Sequence, residues 1–361
     1  MDKTVKIHAP QIFFLMFLSR IIVTLTYIPL INVNLEVTDN IADITFATIM
    51  IFITAIPIFL LLKSESKTSF LDRCYCINHT FGRITALIYA ICFLYSGIIA
   101  IQRFNIFATS VIFPETNFNS FLLVIIVACT FAALMGLEAM GRSGILIFSL
   151  IALSLVFILV SVSSNFDWLN FSPIFYNGIK PVISSSLLTV SRTIETTMLL
   201  ILMPKITGNL RKGLVWWILG IGATMFIITL YIGGVMGEYS NTQLFPVYAL
   251  TVIAKLGFLQ RIDVLLTSSW ILCVFVKVSI ELYLIKECLC VAISKKYNKL
   301  YIVLAGIIIS VSALIIKPNI TNITMILNKS IAIEMFVLIV ILLPSILLIA
   351  EKVKDRKNYE K

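Results

Sequence analysis

Charge is what this sequence has least of. Only 13% of its 361 residues are charged and 60% are hydrophobic, with a mean hydropathy of +1.04. Soluble domains carry about 25% charged and roughly 45–50% apolar residues. So little polar surface cannot cover a particle exposed to water. That excludes a soluble enzyme, a disordered chain and a nucleic-acid-binding module. No stretch is long enough for a separate soluble domain. Also missing are a catalytic triad, a phosphate loop and paired cysteines at zinc spacing. Cys74-x-Cys76 and Cys288-x-Cys290 have no second pair, and most of the seven cysteines lie in apolar runs. They read as small buried hydrophobes, with no metal, cofactor or disulfide framework expected.

What is present is a series of apolar runs. At about 20 residues per span they are Gln11–Ile31, Ile41–Leu62, Ile84–Ile101, Phe121–Met135, Gly144–Ser161, Val182–Met203, Leu214–Met236, Val264–Ile285, Leu300–Ile316 and Ile331–Ile349. The expectation is an all-α integral membrane protein of about ten transmembrane helices, a single domain over residues 1–361. The fourth run is short and must extend or tilt to cross. The first is too long for a signal peptide and lacks a small-residue cleavage site, so it is retained.

The basic residues choose an orientation. With the N-terminus cytoplasmic, nineteen of the 28 Lys and Arg fall in inner segments and six in outer ones. The positive-inside rule then places both termini in the cytoplasm, with 350–361 as a basic tail. The net charge of +10 needs no nucleic-acid partner. Trp216 and Trp217 beside Lys212 fit an aromatic anchor at that interface. Phe245–Phe258, opened by Pro246, is too short to span comfortably. It is either an interfacial or re-entrant helix on the outer face or a loop packed on the bundle.

Three basic residues remain inside spans, with Glu195 and Glu281 beside them, and each requires a reason, since an ionisable group at mid-membrane costs at least ~2.5–3.5 kcal/mol. Arg20 lies in the first span, with Thr24 and Thr26 after it. Arg192 and Glu195 lie mid-way along the sixth, among Ser184, Ser185, Ser186, Thr189, Ser191, Thr193, Thr196 and Thr197. Such hydroxyls compete for the helical ladder. With no Gly or Pro before Pro204, the sequence allows unwinding here without requiring it. Two readings of Arg192–Glu195 stand: a structural pair on one helix face, or groups lining a cavity. On the eighth span Ser269, Cys273, Lys277 and Glu281 form one stripe. Lys277 is a tethered cation or a proton-titrating group, or else one half of an intrahelical pair whose Glu281 meets water.

Ser19-Arg20-Ile21-Ile22-Val23-Thr24 in the first span matches Ser191-Arg192-Thr193-Ile194-Glu195-Thr196 in the sixth at four of six positions. Five helices separate them. A five-plus-five inverted repeat, about 11–161 and 182–349, is expected, with a small-molecule site near the midplane where the first helices of the two halves meet.

Pro246-Val247-Tyr248, Gly257 through Asp263, Trp270, Phe275-Val276-Lys277-Val278-Ser279 and Leu282-Tyr283 resemble the spore germination permeases, the B subunits of bacterial germinant receptors. Gly136-Leu137-Glu138 with Gly141-Arg142, Glu195 with Leu202-Met203-Pro204, and Gln11, Leu18 and Tyr27-Ile28-Pro29 agree with it. The resemblance implies a fold like the amino acid–polyamine–organocation transporters. It implies residence in the spore inner membrane, an A subunit and a lipoprotein C subunit as partners, and a small germinant, usually an amino acid. The first span has Ser19-Arg20 where transporter relatives have helix-breaking glycines. The expected ligand site is therefore Ser19, Arg20, Thr24, Tyr95, Arg192, Thr193 and Glu195. Arg20 or Arg192 binds a carboxylate bidentately, and Glu195 holds an ammonium group or balances Arg192. Tyr95 serves as lid or packing. Lys277, with Glu281, replaces a cation between the first and eighth helices. A receptor subunit, a proton-coupled transporter and a ligand-gated ion conduit all remain open functions, and no enzyme is indicated.

Overall fold

The computed structural model describes residues 6–26, 36–63, 68–112, 119–173, 175–254, 263–316 and 328–359. Pro29, the 257–262 stretch of the resemblance, the far end of the Phe245–Phe258 run, and Lys3, Lys67, Lys255, Arg261, Lys317 and Lys361 lie outside the described residues.

The chain is helical nearly throughout, because a backbone in hydrocarbon must satisfy its own hydrogen bonds. Among the described residues eight helices are long and apolar enough to cross a membrane, and Ala9–Leu25 and Ser120–Met135 are shorter apolar helices. In order they are α1 (Ala9–Leu25), α2 (Asn40–Thr54) continued by α3 (Ile56–Leu61), α4 (Phe70–Ile77), α5 (His79–Phe107), α6 (Asn119–Met135), α7 (Leu137–Val162), α8 (Ile179–Ser191), α9 (Thr196–Leu202), α10 (Leu210–Met236), α11 (Pro246–Ile253), α12 (Asp263–Ala292), α13 (Asn298–Ile315), α14 (Lys329–Phe336) and α15 (Leu343–Tyr359). The ten expected spans are α1, α2–α3, α5, α6, α7, α8–α9, α10, α12, α13 and α14–α15. Short α4 and α11 do not span. A two-residue parallel pair, β1 (Ile7–His8) on β2 (Ile206–Thr207), ties the start of the chain to the segment after α9.

Local signals set the joints. Asn78 ends α4 in an extended conformation, and its side chain accepts from the N–H of Thr80 and Phe81 to start α5. Gly136 separates α6 from α7 at φ 97°, a conformation glycine adopts without strain.

α12 is the axle of the bundle. It packs against α1, α5, α6, α7 and α13, and bulky residues along it are buried on nearly every side. The outer helices reverse the soluble pattern. Val124, Val127 and Phe131 on α6 and Leu146, Leu153 and Val160 on α7 face outward, as a lipid-solvated surface requires. α11 is a real helix laid on the bundle, with Phe245 at its start packed edge-on against Phe107 and Trp270. Five cysteines are buried, whereas Cys76 is exposed and Cys290 half-buried.

One boundary must be corrected. Hydropathy closes the third run at Ile101 and leaves Arg103 in an outer segment. In the structure α5 continues to Phe107 and on through a π-helical turn to Ile112, with Arg103 buried inside the bundle. The polar pair Gln102-Arg103 lowers the window average, but apolar residues resume at Phe104 and the helix does not stop.

Candidate functional site

The sixth span breaks at its most polar point. α8 stops at Ser191, α9 starts at Thr196, and Arg192, Thr193, Ile194 and Glu195 between them lie outside the regular helix. Neither glycine nor proline is involved. Hydroxyls take up carbonyls that the ladder releases. Ser191 Oγ donates to Leu188 O at 2.8 Å, Thr193 Oγ1 to Thr189 O at 3.3 Å and Thr197 Oγ1 to Ile194 O at 2.7 Å. The first span keeps its Ser19-Arg20 inside an unbroken helix, α1.

The break delivers Glu195 to α12. Lys277 Nζ lies 3.1 Å from Glu195 Oε1, 3.0 Å from Glu281 Oε1 and 3.3 Å from Ser19 Oγ, so its three N–H donors are all engaged. Ser19 also donates to Glu195 at 3.4 Å, and Ser96 on α5 donates to Glu281 at 2.6 Å. Glu195 and Glu281 are fully buried, and Lys277 is 4% exposed. The pair of Lys277 with Glu281 thus exists, but Glu281 does not meet water as the interfacial reading required. A lysine shared by two buried carboxylates is far cheaper than any of the three alone. This cluster clamps α1, the sixth span, α5 and α12 at one point.

Around it lie two small cavities. The larger, about 80 Å³, is lined by Val23 and Thr26 of α1, Tyr95, Ser96 and Arg103 of α5, Ser191, Arg192 and Ile194 at the break, Lys277, and Ala332 and Met335 of α14. A water needs about 10–15 Å³ on this measure, so there is room for roughly six. The smaller, about 50 Å³, lies on the other side of Arg192. Its wall holds Arg20, Thr24, Asp43, Thr189 and Thr229 with Met225, Ile228 and Ile232. Arg192 lines both.

The expected site residues are therefore distributed rather than ringed about one void. Tyr95, Arg192 and Lys277 line the first cavity, and Arg20, Thr24 and Arg192 the second. Glu195, Ser19 and Glu281 form the clamp beside them. Thr193 braces the break. Reading the sequence misses Arg103 and Asp43, which lie at run edges, and Ser96. The resumption of apolar residues after Arg103, and the position of Asp43 two residues inside the second run, were the signals available.

The electrostatics favour an anion. The two cavities are lined by Arg20, Arg103, Arg192 and Lys277 against Asp43, with Glu195 and Glu281 in the clamp beside them. Arg20 Nη2 donates to Thr189 O at 3.3 Å, while its Nε and Nη1 are buried without a hydrogen-bond partner among the described residues. Arg103 donates from Nη1 to Thr26 Oγ1 at 3.3 Å, and its Nε is likewise unmatched. Unused guanidinium donors beside a cavity suit a planar carboxylate. Among the described residues no group of His, Cys, Asp and Glu has the arrangement of a metal site.

This is an all-α membrane bundle of transporter-like fold. The chain superposes on a solved structure described as the substrate-bound outward-open state of a Na+-coupled sialic acid symporter, with a TM-score of 0.65 over 92% of this chain and 79% of that one, at 15% identity. At that identity the likeness is one of fold. The profile of the spore germination protein family matches residues 6–321, and the chain belongs to that family. No curated protein matches it.

Proposed function

We propose that this chain is the membrane-embedded B subunit of a spore germinant receptor, and that it binds a small germinant, an α-amino acid, inside the bundle. The observation that carries the reading is the 80 Å³ cavity walled by Arg103 and Arg192 in a germination-family permease. Arg192, with Arg103 or Arg20 beside it, takes the carboxylate. Tyr95 covers the ligand. Lys277 holds the place of a cation between the first and eighth spans, balanced by Glu195 and Glu281. Its engagement with Lys277 leaves Glu195 a poor holder of a ligand's ammonium group. The matching hexapeptides support an inverted repeat over about 11–161 and 182–349. The bias of basic residues supports cytoplasmic termini, and the family supports the spore inner membrane, with a larger A subunit and a lipoprotein C subunit as partners. Binding shifts the bundle between two states through its differential affinity for them. Spores carrying Arg192→Ala in a chain still present at normal level are expected to lose most of their amino-acid response. A response at the wild-type level would remove the proposal.

One feature favours a proton-coupled transporter as the second reading: Lys277 is bracketed by two carboxylates between which its proton can be exchanged. Liposomes containing this chain alone separate the functions. Concentrative uptake of labelled amino acid driven by a proton gradient supports the transporter, ligand-gated conductance supports an ion conduit, and neither is expected of the receptor.

A further inference from the structure

A concavity much larger than the two polar cavities lies away from the buried charges. A groove of about 830 Å³ runs between α1, α7 and α10 on the outer surface of the bundle. Its walls are aromatic and aliphatic: Phe13, Phe14 and Phe17 of α1, Phe148 of α7, and Trp216 and Ile228 of α10 among them. Its one charged residue, Lys212, lies at one end, where His8 and Asn209 complete the mouth; deeper in, Thr224 spends its hydroxyl on Gly220 O at 2.8 Å, and no acidic residue is among the lining residues. Lys212 is exposed at this mouth, and Arg211, its neighbour in the chain, is exposed as well. From Lys212 to Ile228 the groove follows 16 residues of α10, about 24 Å at 1.5 Å per residue. Most of a ~30 Å hydrocarbon core is thus traversed from a basic, interfacial mouth.

We propose that this groove binds one anionic glycerophospholipid, with its phosphate at Arg211, Lys212 and His8 and its acyl chains along the aromatic trough. The polarity gradient matches an amphiphile: charge at one end only, at headgroup depth, then a wall that is apolar except for Thr224, whose hydroxyl is turned onto its own helix. Of the three glycines that line the groove, the two on α10 differ in a useful way. Gly213 lets the Phe13 ring lie directly on the α10 backbone, and any side chain there would collide with it, whereas a Cβ at Gly220 meets nothing within 4 Å. Gly220 is an opening in the wall, and a large side chain placed there occupies the groove without displacing the helix. Trp216 and Trp217, both lining the groove, report on what fills it. The proposal rests only on the chain spanning a membrane, independently of any germinant.

The test uses the full chain with Trp168→Phe, to remove the exposed indole between α7 and α8, reconstituted into phosphatidylcholine vesicles. A small share of the lipid carries brominated chains, on either phosphatidylglycerol or phosphatidylcholine. Each basic residue near a headgroup contributes about fivefold in anionic-lipid affinity. Brominated phosphatidylglycerol should therefore quench tryptophan at several-fold lower content than the phosphatidylcholine form. Arg211→Gln with Lys212→Gln should erase that preference, and Gly220→Phe should reduce quenching by both lipids where Leu219→Phe does not. Equal quenching by the two lipids in the parent chain, or full quenching in Gly220→Phe, would overturn the proposal. So would protection of the tryptophans when the chain is isolated with bound partner subunits, since a protein helix would then be the occupant.

Discussion

Two hexapeptides differing at only two positions adopt different structures in this molecule. Ser19-Arg20-Ile21-Ile22-Val23-Thr24 continues α1 without interruption, whereas Ser191-Arg192-Thr193-Ile194-Glu195-Thr196 spans the break between α8 and α9. Thr193 and Glu195 replace Ile21 and Val23. The threonine offers a hydroxyl that caps Thr189 O, and the glutamate is drawn out of register to Lys277 on α12. The break is therefore set by a tertiary ion pair that local propensity does not encode. Both arginines turn inward, yet they do different work. Arg20 reaches Thr189 O from an intact helix, and Arg192 lies at the break between two cavities.

The comparison can be broken most severely at α12. Lys277→Met leaves Glu195 and Glu281 buried without a cation, and removal of one partner of a buried ion pair costs about 3–5 kcal/mol. The unfolding midpoint of the detergent-solubilised protein should fall accordingly. An unchanged midpoint would mean that the clamp is not structural. A second test makes the two segments identical, with Thr193→Ile and Glu195→Val together. The hydrogen bond from Lys277 to Glu195 disappears, at a cost of about 1.5–3 kcal/mol. Amide exchange at residues 192–196 should slow as the helix closes, and exchange as fast as before would show that something other than those side chains holds the break open. Thr197→Val is milder. It loses the 2.7 Å bond to Ile194 O, about 1 kcal/mol, read as a small drop in midpoint. Smallest of all is Arg20→Met. Replacing a buried, partly unmatched cation with an apolar chain should change stability by less than about 1 kcal/mol. A loss as large as that of Lys277→Met would show that Arg20 is part of the clamp.

Much of the fold was legible because hydrocarbon solvation demands long apolar runs, and all ten recur as helices. The short run opened by Pro246 left a helix and a packed loop open, and its described part, Pro246–Ile253, is helical. The Lys–Glu pair on the eighth span was visible in its spacing of four. Other features were hidden for physical reasons. Arg103 looked terminal because two polar residues depress a window average that the helix itself ignores. One of the two readings of the eighth span left Glu281 in water, and what removes it from water is the packing of α5, whose Ser96 donates to that carboxylate. Asp43 sits where a run begins, a place where acids are ordinarily solvated. The sequence left the break in the sixth span open, since its cause lies 82 residues away in Lys277.

The central claim is that the break holds Arg192 at a cavity where it receives a carboxylate. It is tested most directly by thermal shift of the purified chain against the twenty α-amino acids and their carboxamides. A ligand at 100 times its Kd stabilises the folded state by about 2.7 kcal/mol. The account predicts that at least one amino acid raises the unfolding midpoint, that its carboxamide does not, and that Arg192→Gln abolishes the shift. An equal shift with the carboxamide, or an undiminished shift in Arg192→Gln, would contradict it.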